Sequence, residues 1–170
     1  GHAVSAAGDV NNDGYGDIIV GMPRMGIPFA CTQTNPPTCN IPENDYQGSG
    51  GAALIFLGSA EGITGTSIDD ADSVILSHPP GQPAVSGDQV GADVAAAGDV
   101  NNDGFSDVLV GAGGYIMVFH GSGSGIAGTD PSNADTKITS SASISIGALV
   151  SGAGDVNGDG FDDIMASDTG

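Results

Sequence analysis

Positive charge is almost missing from this chain. Arg24 and Lys137 are the only basic side chains, set against 21 acidic ones, for a formal net charge of −19 over 170 residues. Such a surface repels phosphates, so electrostatic binding to nucleic acid or to an anionic membrane is excluded. Long apolar runs are missing too: no stretch approaches the roughly 20 residues needed to cross a bilayer as a helix, so no membrane insertion is expected. No signal peptide is visible, and the chain, starting at Gly1-His2, reads as a mature or excised piece. No segment carries a capped 3.6-residue apolar period, and no G-x-S-x-G nucleophile motif occurs. Hydrophobic content is nevertheless 39%, the level of an ordinary globular protein, so the acidity does not mark a disordered chain.

Cysteine is scarce as well. Cys31 and Cys39 lie eight apart in CTQTNPPTC, with no further Cys or His partners beside them, which argues against a thiolate metal site. A local disulfide closing a Pro-rich loop is preferred to two free thiols, and it favours an oxidising, extracellular compartment. Glycine, by contrast, is abundant at 30 residues and recurs in short clusters, as frequent turns between short strands require.

What is present is a repeat. AGDVNNDGYGDIIVG (7–21), AGDVNNDGFSDVLVG (97–111) and AGDVNGDGFDDIMAS (153–167) align without gaps. LIFLGSAEGITG (54–65) aligns with MVFHGSGSGIAG (117–128), and VGADVAAAGD (90–99) with IGALVSGAGD (146–155). One unit therefore reads as an alternating strand, an acidic loop, two apolar strands, a Gly-rich turn and a polar strand. Spacings of 63 and 56 residues between equivalent segments suit a four-stranded antiparallel blade. Unit one carries 27 extra residues, roughly 23–50, which hold both cysteines and five of the nine prolines. The expected division is residues 1–89 as repeat one with that insertion, 90–145 as repeat two and 146–170 as a partial repeat three. The fold class is thus all-β: about two and a half propeller blades of an incomplete ring, since a closed propeller needs at least four.

The acidic loop has the form D-x-N-x-D-G-x-x-D. Its candidate metal ligands are Asp9, Asn11, Asp13 and Asp17; Asp99, Asn101, Asp103 and Asp107; Asp155, Asn157, Asp159 and Asp163. The backbone carbonyls of Tyr15, Phe105 and Phe161 at position seven add one oxygen each. Crowded carboxylates repel one another unless a cation joins them, and Ca2+ takes six to eight such oxygens from flexible loops. Three ions would bring the formal charge from −19 to about −13. Gly14, Gly104 and Gly160 are expected at positive φ, where the chain turns sharply. An EF-hand is excluded because position 12 is Val20, Val110 or Ala166 instead of Glu, and strand sequence follows.

This unit resembles the FG-GAP repeat of integrin-α propellers and of many bacterial secreted proteins. The "FG" position is Val90-Gly91 and Ile146-Gly147. The "GAP" position is Gly21-Met22-Pro23 and Gly111-Ala112-Gly113, lost as Ser167-Asp168-Thr169 in the third copy. The resemblance implies a calcium loop joining the first two strands of each blade, in a non-catalytic, calcium-stabilised extracellular structural or adhesion module. The incomplete third unit adds a subunit of a surface or fibrous assembly, completed edge to edge, and the 23–50 insertion is where a protein or glycan ligand is expected. The alternative is an accessory propeller domain of a secreted hydrolase with catalysis elsewhere in a longer chain. The Gly123–Gly128 match to G-x-G-x-x-G lacks a following helix and is read as a turn. His2, His78 and His120 share no repeat position and are read as ordinary surface or interface residues.

Overall fold

The computed structural model describes residues 1–24, 50–65, 67–79, 87–140 and 146–168, and the backbone alone of residues 31–32 and 38–39. The strands are β1 (Ala3–Gly8), β2 (Asp17–Met22), β3 (Cys31–Thr32), β4 (Thr38–Cys39), β5 (Ala52–Phe56), β6 (Ser73–Leu76), β7 (Val94–Gly98), β8 (Asp107–Ala112), β9 (Tyr115–Phe119), β10 (Thr136–Thr139), β11 (Leu149–Gly154) and β12 (Asp163–Ser167). Among the described residues the one helical element is a single 3-10 turn, Ile68–Asp70. The Ser67 side chain caps its start, and the Asp70 carboxylate accepts from the Ser67 N–H in return.

The strands form antiparallel meanders in chain order: β1-β2-β5-β6, then β7-β8-β9-β10, then the pair β11-β12. These are the all-β, four-stranded propeller blades expected from the repeat, two with all four strands and one represented by its first hairpin. In the insertion, β3 and β4 pair with Cys31 directly opposite Cys39. Their side chains, and with them the disulfide expectation, lie outside the described residues, as does most of the 23–50 segment.

Each first hairpin carries the same irregularity. Pairing shifts by one residue between Ala6 and Gly8, between Ala96 and Gly98 and between Gly152 and Gly154. The glycine that ends each bulge has φ of +82°, +82° and +69° in turn, a conformation that side-chain-bearing residues avoid.

Blades stack face to face, and the period-two alternation of their strands decides which neighbour each side chain meets. In β9, Tyr115, Met117 and Phe119 join Ile19, Ala53 and Ile55 of the first blade in one core. Ile116 and Val118 turn the other way, to Val150 and Ile164 of the third unit. The middle blade is covered on both faces, so β8 and β9 are buried throughout and read as continuous apolar runs. Bare apolar side chains collect at the two ends of the stack: Val4 on β1, and Leu149 and Met165 on the last hairpin.

The expectation of a polar fourth strand holds for β10, which is exposed along its length. It fails for β6, where Ile75 and Leu76 are buried. Neighbouring chain shelters this strand. The Leu76 N–H donates to the Thr129 carbonyl of the second blade at 2.7 Å, and Leu76 packs with Ala52.

Candidate metal centre

The three acidic loops connect β1 to β2, β7 to β8 and β11 to β12, and local hydrogen bonds fold them alike. In the first, the Asp13 N–H donates to Asp9 Oδ1 (3.0 Å) and to Asn11 Oδ1 (3.2 Å), and the Gly14 N–H to Asp9 Oδ2 (2.9 Å). The Tyr15 N–H donates to Asp13 Oδ1 at 2.9 Å, and Asn11 Nδ2 to Asp13 Oδ2 at 2.9 Å. The second loop repeats every one of these bonds with Asp99, Asn101, Asp103, Gly104 and Phe105, all between 2.8 and 3.0 Å. In the third, Asp159 N–H reaches Asp155 Oδ1 (3.1 Å) and Asn157 Oδ1 (2.8 Å), Gly160 N–H reaches Asp155 Oδ2 (2.9 Å) and Phe161 N–H reaches Asp159 Oδ1 (3.0 Å).

Two backbone positions make this possible. Gly14, Gly104 and Gly160 have φ of about +90°, as expected from the sequence. Position four is left-handed as well: Asn12 at +53°, Asn102 at +56° and Gly158 at +78°. The Asn/Asn/Gly series there was a legible signal, since Asn and Gly are the residues that tolerate this region.

Asp9, Asn11 and Asp13, with their counterparts, are thus brought together at the exposed rim of the hairpin. The residue at position nine is placed differently. Asp17 is buried, with Oδ2 accepting from the Val10 N–H (2.7 Å) and Oδ1 from the Gly58 N–H (2.7 Å). Asp107, fully buried, accepts from Val100 (2.8 Å) and Gly121 (2.9 Å) in the same way. Asp163 accepts from Val156 at 3.0 Å. Each position-nine aspartate therefore ties its loop to the strand, and in the two four-stranded blades it also ties the end of the third strand.

Burial pushes the Asp17 and Asp107 carboxyls up from the ordinary aspartate value, against the pull of their backbone donors. Asp155, in the open, is held below that value by its backbone donors, the Gly160 N–H foremost.

The donor set of each loop is oxygen only and suits a hard cation. A carboxylate oxygen bound to one N–H keeps a further lone pair, so the bonds above leave acceptor capacity on each aspartate. In the form shown, backbone N–H groups hold these oxygens. No three acidic, imidazole or thiol side chains stand together as a metal group among the described residues.

The histidines separate. His78 is buried, against the expectation of a surface or interface residue, because it follows β6 into the space between blades, where Ser77 Oγ bonds its Nδ1 at 2.8 Å. His120 sits 3.7 Å from Asp135 at the blade edge.

The FG-GAP-like repeat model matches residues 99–166, and the FG-GAP repeat model residues 1–25, so the matched segments take in all three acidic loops. The chain belongs to the FG-GAP repeat family, of the integrin-α type. It is 33% identical over 171 residues to integrin alpha pat-2 of Caenorhabditis briggsae and, equally, to that of Caenorhabditis elegans, in alignments that cover 94% of this chain. To integrin alpha-3 of Cricetulus griseus it is 32% identical over 130 residues, 74% of the chain. The chain spans 12% of the length of the nematode relatives and 10% of the hamster one.

The signature glycines of an FG-GAP repeat have a common physical reason here. Gly91 (φ +81°) and Gly147 (φ +101°) open the second and third units. A methyl group on Gly21 would overlap the Gly91 carbonyl, and one on Gly111 the Gly147 carbonyl. The "GAP" glycine of one blade and the "FG" glycine of the next are two sides of one backbone contact. Ser167 occupies the corresponding position of the third unit and is exposed.

Proposed function

We propose that this chain is a non-catalytic, calcium-stabilised propeller module of an extracellular structural or adhesive protein. The carrying observation is the threefold recurrence of one loop, with Asp and Asn oxygens gathered at the same rim of each hairpin. Residues 9, 11 and 13, 99, 101 and 103, and 155, 157 and 159 would hold one ion each. The carbonyls of Tyr15, Phe105 and Phe161 and the spare lone pairs of Asp17, Asp107 and Asp163 would complete the shells. The ion would supply no chemistry beyond charge neutralisation and locking of the loop, and the −19 formal charge gives it a strong electrostatic incentive.

An extracellular, cell-surface setting is favoured by the likeness to integrin alpha chains. The 23–50 insertion, longer than a blade turn requires and rich in proline, would receive a protein or glycan ligand. The test is thermal unfolding in calcium and in a chelator at matched ionic strength. Saturating calcium at 100 times its dissociation constant adds about 2.7 kcal/mol per site, a rise of several degrees or more. Coincident curves in the two buffers would end the calcium reading.

A further inference from the structure

The acidic loops are joined to one another across the blade boundaries by residues outside their ligand positions. The Ser106 N–H donates to the Asp9 carbonyl at 3.0 Å, and Ser106 Oγ accepts from the Asp9 N–H at 3.2 Å. Ser106 is position eight of the second loop; Asp9 is position one of the first. One blade further on, the Asp162 N–H donates to the Asp99 carbonyl at 3.1 Å, and Asp162 Oδ2 accepts from the Asp99 N–H at 2.8 Å. Position eight thus clamps both backbone polar groups of the first residue of the preceding loop, in two independent copies.

The bulge glycine makes room for this clamp. A side chain at Gly8 would overlap Ser106 Oγ, and one at Gly98 would overlap the Asp162 carboxylate, whereas Gly154 has no such neighbour within 4 Å. Left-handed glycine and position-eight acceptor are therefore plug and socket of one joint. Ser and Asp share what the joint requires: a short side chain with an oxygen acceptor.

We propose that Ser106 and Asp162 are positioning residues, each of which sets the calcium-binding geometry of the loop in the preceding blade. The metal part rests on the calcium reading above; the clamp itself does not. Because Asp162 leans away from its own loop, its loss should weaken the loop at 99–107 and spare the loop at 155–163. The expected loss at 99–107 is about tenfold in calcium affinity, the worth of one hydrogen bond to a charged acceptor. Asp162→Asn keeps an acceptor oxygen without the charge and should restore most of it. Ser106→Ala should act in the same direction on the loop at 9–17, by a smaller factor.

The experiment uses amide resonances of the whole chain. In chelator, hydrogen exchange at the Asp99 N–H should speed up in Asp162→Ala and stay slow in Asp162→Asn. In a calcium titration, the Gly104 and Gly160 amides report the two loops separately. Equal weakening at both loops, or identical behaviour of the Asn and Ala variants, overturns the proposal. If the unsubstituted chain binds no calcium, the cation reading and the effect on affinity fall together, while the exchange data still decide the clamp.

Discussion

Asp107 offers the sharpest test of a carboxylate that braces the bare protein. Its side chain is fully buried and satisfies two N–H groups, of Val100 at 2.8 Å and of Gly121 at 2.9 Å. Replacing it with Ala strands both donors away from water. At about 1–3 kcal/mol for each unsatisfied buried donor, the expected loss is about 3–5 kcal/mol, or roughly 10 °C in melting temperature for a chain of this size. That loss is a property of the bare protein, so it should appear already in chelator, and lost calcium binding at this loop adds to it when the ion is present. Asp163→Ala is the internal control: it releases only the Val156 N–H, at an exposed loop, and should cost about 1 kcal/mol or less. Urea unfolding of the three proteins with and without calcium reads the difference directly. Should Asp107→Ala match Asp163→Ala in chelator, the argument for a strut between loop and third strand fails.

Glycine contacts between blades give a second prediction. Gly91→Ala should cost about 2–4 kcal/mol, because a methyl group there meets the Ala52 carbonyl and the Met22 N–H at a positive φ. Gly62→Ala, equally left-handed at +85° but with open space around it, should cost only about 1 kcal/mol, and equal losses in chemical unfolding would show that strain rather than contact fixes these glycines. His78 governs a third. Burial holds its imidazole below the ordinary value of 6.5, against the attraction of Asp88 and Asp130. The unfolded chain therefore takes up the proton first as pH falls, and the stability that neutral His78 contributes above pH 6.5 is lost on descending through its folded value. The stability advantage of the unsubstituted chain over His78→Gln should narrow between pH 7.5 and 5.5. A constant or widening gap in unfolding free energy would show that the buried site tolerates the charge.

Local physics made much of this molecule legible. The sharp turns at Gly14, Gly104 and Gly160, the hairpins around the acidic loops and the gathering of Asp9, Asn11 and Asp13 all depend on bonds within about five residues, so the repeat spelled them out. The left-handed Asn12 and Asn102 belong to the same class; the signal was there in the Asn/Asn/Gly series.

What stayed hidden in the linear pattern involves partners far apart in the chain. The bracing role of Asp17 was not legible because one of its two donors is Gly58, 41 residues away and invisible to loop spacing. His78 looked peripheral because its burial depends on how the first blade's last strand lies against the second blade. The position-eight clamp joins residues 97 and 63 apart, and position eight varies as Gly16, Ser106 and Asp162, so no repeat comparison singles it out. Sequence by itself determined the blade, because a blade's turns, alternation and acidic loop are set by neighbours along the chain. How blades meet was settled by the tertiary structure, because the fit of Gly21 against the Gly91 backbone and of Gly98 against the Asp162 side chain is a matter of close approach between distant segments, which composition and spacing do not encode.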